Sequence, residues 1–287
     1  MKSAQFHYFV RPIRRGFTVV ELLVAVSVMT LIVLVLYGLF DQVQRALRSN
    51  SSQVDVLEGG RASNELMARE MEQMQAGNVL SNQNLFIGLT SLPYHLALLD
   101  PNVYHTNVLQ EVFFLSKYNK RWTGTGYRIL SFSTNGIANQ LAGGVGTLSR
   151  YSVDVSASDF PNINLFSRVM NTDTNTLAKF QRIADGVIHF RLRAFDTNGM
   201  LMVSNIYPDV RIVTNTVFLT QPTSETRYAF TNSALPACLE LEMGILEPHV
   251  WERYKSIPNA AAASNYLARQ VGAVHLFQER IPIHMAK

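Results

Sequence analysis

The alternation of apolar and polar positions divides the chain into two unlike parts. From Phe17 to Phe40 there are 24 residues, and Glu21 is the only charged one. As a helix rising about 1.5 Å per residue this run is roughly 36 Å long. That length crosses a hydrocarbon core of about 30 Å with some tilt. Arg11, Arg14 and Arg15 stand just before the run and Lys2 further out. The basic flank predicts a cytoplasmic N-terminus, with the chain beyond Phe40 on the other side of the membrane. A secretory signal fits less well. Its apolar core is only about 7–15 residues long and ends at a small-residue cleavage site, whereas this run ends in Tyr37-Gly38-Leu39-Phe40-Asp41.

Beyond Phe40 the helical period continues in polar surroundings. Val43, Leu47, Val54, Leu57, Met67, Met71 and Met74 fall at helical spacings, which predicts a helix over Asp41 to Gln75. Its methionine stripe is expected to form a core seam against the domain that follows. Gly59-Gly60 is expected to kink or loosen this helix, and Ala76-Gly77-Asn78 to stop it, with the glycine in the left-handed conformation. From Val79 onward the period shifts towards two. Strands are expected at Glu111–Tyr118, from Tyr127 towards the Asn135-Gly136 turn, at Leu148–Ser156, at Leu165–Met170 and from Val187 to the Asp196–Gly199 turn. Further strands are expected at Val210–Leu219, Ala237–Leu246 and His275–Ile283, with helix between Glu247 and Val271 broken near Pro258. Gln83–Pro101 and Gln140–Gly146 read as loops. An α+β fold results, a long N-terminal helix packed on an antiparallel β-sheet head.

A plain membrane anchor leaves Glu21 unexplained. A carboxylate inside a spanning helix costs several kcal/mol unless paired or protonated, and so points to function. Were the chain cut after Gly16, Phe17 would carry a new α-amino group four residues from Glu21. Amine and carboxylate could then pair within one chain, or between neighbouring chains whose stagger the pair would fix.

These residues resemble a known family. The basic leader, Gly16, Phe17, Thr18, then Glu21-Leu22-Leu23-Val24 and an apolar helix look like the class III signal of type IV prepilins and type II secretion pseudopilins. The resemblance implies a leader at 1–16 cleaved after Gly16 by a prepilin peptidase, and N-methylation of Phe17. It also implies Glu21 as the assembly carboxylate, a transmembrane helix segment at 17–40, its soluble continuation at 41–77 and a β-rich head at 78–287. Implied partners are other pilins or pseudopilins, an inner-membrane assembly platform, membrane lipid and a secreted substrate. The implied location is the bacterial inner membrane, single-pass, with the head in the periplasm or an extracellular filament. In the head, the segments from Leu148, Leu165, Ile183 and Leu235 look like J-type minor pseudopilins and equally like W-type minor pilins. That implies a structural subunit at or near a filament tip that aids assembly and protein secretion.

Composition then changes meaning. The formal charge is +4, and the leader holds four basic residues and no acidic one. Its removal leaves 21 basic and 21 acidic residues, so the basic balance reports membrane topology, and no nucleic-acid partner is expected. The lone Cys238 excludes an intrachain disulfide and reads as a buried structural thiol in a strand. The seven histidines show no metal-ligand spacing, and His189 and His275 read as satisfied or surface side chains. Gly143-Gly144-Val145-Gly146-Thr147 lacks the lysine of a phosphate loop. Asn171-Thr172-Asp173-Thr174-Asn175-Thr176 places oxygens as a calcium loop does, but lacks its glycine and bidentate glutamate. It is weighed against a polar turn. No cofactor is expected and no enzyme. The competing reading is an anchored envelope protein whose β-rich head binds a ligand or catalyses without polymerising.

Overall fold

The computed structural model describes residues 18–79, 82–90, 95–100, 103–133, 135–141, 144–204, 207–216 and 224–284, with the side chains of 48–52, 100, 215, 216 and 224 excepted. The chain forms two compact units divided between Ser51 and Ser52. Helix α1 covers Val19–Met71, so both units contain part of it.

In the second unit, ten strands among the described residues form one sheet. They are β1 (Gln83–Leu89), β4 (Gln110–Tyr118), β5 (Arg121–Phe132), β6 (Ala138–Gln140), β7 (Gly146–Ser156), β8 (Gln181–Phe195), β9 (Val210–Thr216), β10 (Ser224–Thr231), β11 (Cys238–Leu246) and β12 (Val274–Pro282). The order is β12-β11-β8-β7-β5-β4-β1-β10-β9, with β6 beside β5. Pairing is antiparallel throughout. A separate hairpin pairs β2 (Leu96–Asp100) with β3 (Val103–Thr106).

Two apolar layers hold the sheet. On one side Val56, Met67, Ala68, Met71 and Met74 pack with Leu85, Tyr127, Phe190, Leu241 and Met243. The methionine stripe is thus a core seam. Polar contacts pin it: Glu70 Oε2 accepts from Tyr127 Oη at 2.7 Å and Arg150 Nε at 2.9 Å. A second layer collects Phe113, Leu115, Trp122, Val155, Phe160 and the short helix α2 (Leu165–Met170). Helices α4 (Pro248–Lys255) and α5 (Ala260–Ala268) close a third cluster through Val250 and Leu267.

Several expectations need correcting. The Gly59-Gly60 pair does not break α1. Gly60 is buried, and a Cβ there would press on the Phe277 ring of β12, so its smallness serves close packing. The helix ends at Met71, and the left-handed residue is Asn78, with φ 54°, not Gly77. Gly77 instead donates its N–H to the buried Asn84 Oδ1 at 2.8 Å, while the Asn84 amide donates to the Asn232 and Ala234 carbonyls. Leu165–Met170 is a helix, not a strand. Asn164 caps it by accepting from the Ser167 N–H at 3.0 Å, and Leu165 and Val169 bury one turn apart. Gln83–Pro101 holds all of β1 and β2 instead of a loop, and β6 ends at Gln140. β8 begins at Gln181, ahead of the expected Val187; Gly186, at φ +74°, lies where its register shifts against β7, and the shift against β11 falls at Ile188. Cys238 is half-buried at the start of β11, not enclosed.

Candidate functional site

Residues 18–47 carry the strongest functional pattern. Val19–Leu47, 29 residues, is long and apolar enough to cross a membrane. Its side chains from Val19 to Leu47 include a long run of exposed large hydrophobics. A helix in lipid must satisfy its polar groups internally. Here Ser27 Oγ donates to the Leu23 carbonyl and Thr30 Oγ1 to the Val26 carbonyl, each at 2.8 Å. Past the apolar run Arg45 and Asp41 pair one turn apart at 2.6 Å.

The helix start is built around Glu21. Thr18 is the cap residue and Glu21 the third helical position. Glu21 Oε2 accepts from the Thr18 backbone N–H at 2.9 Å and from Thr18 Oγ1 at 2.8 Å, while the Glu21 N–H donates to Thr18 Oγ1 at 3.3 Å. This reciprocal exchange is a capping box. It satisfies backbone donors that the helix start would otherwise leave bare, and it sets a carboxylate beside the positive end of the helix dipole. Thr18 is the partner that the lone-charge argument overlooked. Its signal was present, since Thr-x-x-Glu before an apolar run marks a capped helix. Arg11, Arg14, Arg15, Gly16 and Phe17 lie outside the described residues.

The head's chemistry-bearing side chains are in structural use. His189 is buried; its Nδ1 accepts from the Val108 N–H at 3.1 Å, and its Nε2 stands 3.5 Å from Glu242. His275 contacts Glu247 at 3.2 Å. Asp173 accepts from the Thr176 N–H at 2.6 Å and caps the short helix α3 (Thr174–Leu177). The Asn171–Thr176 oxygens are therefore arranged about a helix start, with Asn171 Nδ2 donating to Asp173 Oδ2 at 3.2 Å. Gly146 opens β7, while Gly143 lies outside the described residues. No group of three or more His, Cys, Asp or Glu side chains among the described residues is arranged to hold a metal.

A family model described as the prokaryotic N-terminal methylation motif matches residues 11–37. No curated protein and no solved structure matches the chain. The matched stretch contains the basic flank, the capping box and most of the apolar run. The chain thus joins a prepilin-type N-terminal motif and one apolar helix, as in a single-pass membrane-anchored protein, to an antiparallel sheet head in a pilin-like α+β arrangement.

Proposed function

We propose that this chain is a minor pseudopilin-like or pilin-like structural subunit of a membrane-anchored filament, placed at or near its tip, where it aids assembly and protein secretion. Its mechanism is packing, not turnover. A prepilin peptidase cuts after Gly16 and Phe17 is N-methylated. Arg11, Arg14 and Arg15 hold the leader on the cytoplasmic side of the inner membrane, and the head stands in the periplasm or filament. The helix then lies among those of other pilin-like subunits above an assembly platform, with Glu21 neutralising the amine of a processed Phe17. A charge pair that fixes stagger is the best-attested use of a buried ion pair.

The observation that carries this reading is Glu21, a capped carboxylate within the 11–37 motif at the head of an otherwise apolar span. Intact mass and N-terminal sequencing of protein from native membranes test it. A chain starting at methylated Phe17 is expected. A chain still starting at Met1, in cells with an active prepilin peptidase, would overturn it in favour of a non-polymerising anchored head. Glu21→Ala should leave membrane insertion intact and lower filament incorporation by about tenfold or more, the effect of losing about 1.4 kcal/mol of subunit pairing. Unchanged incorporation would remove the stagger argument.

A further inference from the structure

Strand β7 loses one of its neighbours partway along. Up to Arg150 it lies between β5 and β8, and its last pair with β8 is Arg150 with Gln181. The ladder to β5 continues, from Tyr151 opposite Gly126 to Ser156 opposite Arg121. On the other side no strand among the described residues takes over from β8, because the chain ahead of Gln181 turns off into α3. An edge therefore opens inside the sheet, and an edge presents a row of unpaired main-chain N–H and C=O groups.

A cleft of about 450 Å³ adjoins this edge, lined among others by Tyr151, Val153, Ser167, Arg168, Asn171 and Lys179. Residues directly opposite in a sheet share a face, so Tyr151 and Val153 lie on the face of Gly126 and Gly124. A Cβ on Gly126 would press on Val169 and Met170, and one on Gly124 on Phe113 and Leu165. The two glycines thus let α2 bed down over β5. Tyr151 and Val153, one strand further out, stay half-buried, while Ser167, Arg168, Asn171 and Lys179 are exposed. The lining is open to a ligand.

The charge of the cleft is one-sided. Among the described residues two cations line it and no carboxylate does. Lys179 Nζ stands 5.8 Å from the centre of the Tyr151 ring. Asp173 feels the charge of Lys179, but its oxygens already accept from the Thr176 N–H and from Asn171 Nδ2.

We propose that this opening receives an extended, acidic peptide segment of a partner protein. The segment adds as a strand to β7 between Tyr151 and Ser156 and sets its carboxylates against Arg168 and Lys179. Main-chain pairing supplies affinity and the cleft supplies choice. Side chains of an added strand alternate, so every second one enters the cleft, where Tyr151 and Val153 offer apolar contact. The surface belongs to the head alone and does not rest on the filament reading.

Fluorescence anisotropy of the full chain in detergent tests this, with the fluorescein-labelled peptide Thr-Glu-Thr-Val-Thr-Glu-Thr as probe. Saturable binding is expected, with hydrogen-exchange protection of β7 amides between Tyr151 and Ser156. The same peptide with glutamine for glutamate should bind about threefold or more weakly. Lys179→Gln and Arg168→Gln, both at exposed positions that leave the fold intact, should each weaken binding by about two- to fivefold. N-methylation of every second probe amide, made in both registers, leaves the protein untouched. In one register it should weaken binding about tenfold, the effect of losing a few main-chain hydrogen bonds. No saturable binding, unaltered binding in both variants, or equal binding of the glutamine peptide or of both N-methylated peptides would overturn the proposal. So would protection at β9 or β12 in place of β7. Protection of Tyr151–Ser156 by self-association without peptide would overturn it in favour of a second copy of this chain.

Discussion

Gly59 and Gly60 are adjacent in one helix, yet the structure gives them opposite consequences. Replacing glycine by alanine inside a helix gains about 1 kcal/mol from backbone entropy and propensity. At Gly59 a new Cβ meets nothing within 4 Å, so Gly59→Ala should realise most of that gain. At Gly60 the same Cβ would lie well inside van der Waals contact of Phe277 Cζ and Cε2, and 3.0 Å from Cε1. Carbon contacts are comfortable only near 3.5–4.0 Å, so the ring must withdraw. Phe277 sits on β12 opposite Met243 and packs against the main core, so its withdrawal disturbs a close-packed layer. Overpacking of this kind costs about 1–3 kcal/mol. The helix gain offsets part of it, leaving Gly60→Ala destabilised by up to about 2 kcal/mol and about 1–3 kcal/mol below Gly59→Ala.

For a unit of this size about 1 kcal/mol moves Tm by roughly 2–4 °C. The two variants should then melt about 2–12 °C apart by circular dichroism of the full chain in detergent. The contact also predicts a coupling. In a Phe277→Ala background the obstacle is gone, and Gly60→Ala should become stabilising by up to about 1 kcal/mol. Gly60→Ala melting within about 1 °C of Gly59→Ala in the wild-type background would refute the close-packing account.

Three further outcomes follow from named contacts. Thr18→Ala removes a cap worth about 1 kcal/mol and should increase amide hydrogen exchange in the first turn of α1 while sparing the head. Unchanged exchange would show that the capping box contributes nothing. Glu70→Ala strips an acceptor from buried Tyr127 and from Arg150, whose Nη2 lies 2.7 Å from Glu70 Oε1. It should cost about 2–3 kcal/mol in denaturant unfolding, against about 1 for Tyr127→Phe. Equal losses would place the strength elsewhere. His95 is 4% exposed between Ser264 Oγ at 3.3 Å and Tyr254 Oη at 3.2 Å, and burial lowers its pKa to about 4 from 6.5. The unfolded chain therefore binds the proton first as pH falls, and stability should drop by up to about 3 kcal/mol from pH 6.5 to 4. His95→Gln should flatten that window, and an unaltered pH profile would exclude His95 as its source.

Where local period and burial agreed, the fold was legible in the sequence. The Met67, Met71 and Met74 stripe and the alternating Leu239, Leu241, Met243 and Ile245 of β11 each combine a regular period with one apolar face in the same core layer, and Pro258 stands in the break between α4 and α5. Elsewhere tertiary partners override the pattern. In β1, Asn84 is buried beside Leu85 because three backbone groups satisfy its amide, so Gln-Asn-Leu-Phe-Ile-Gly-Leu never alternates. In β10, Glu225 is buried against Arg191, and this polar-looking stretch is not among the expected strands. Leu165–Met170 runs two apolar, two polar and two apolar residues, so Leu165 and Val169 share one helical face, and the Asn164 cap starts the helix in place of the expected strand. In the candidate site Glu21 stood out as a lone charge. Thr18 did not, because a threonine beside an apolar run is unremarkable until the carboxylate three residues on is considered with it.

The capping box bears on how Glu21 could serve assembly. A bare carboxylate in the membrane would be driven to lose its charge or leave. Here the Thr18 N–H and hydroxyl both donate to Oε2, so the unassembled subunit holds a satisfied Glu21 before any neighbour arrives. Ser27 and Thr30 are satisfied as well, but by main-chain carbonyls deep in the helix, where a neighbour has little to offer in exchange. The box differs because it lies at the helix start, one residue after the proposed new amine. An amine–carboxylate pair in low dielectric is stronger than the neutral hydroxyl bond it would displace. In the proposed subunit, then, Thr18 keeps Glu21 stable while alone, and assembly exchanges a weak internal bond for a stronger one between chains. On this account Thr18→Ala should impair membrane insertion or lifetime of the free subunit more than its final incorporation, whereas Glu21→Ala should do the reverse. Pulse–chase turnover beside filament co-purification separates the two, and identical profiles for both variants would mean that the box has no role of its own before assembly.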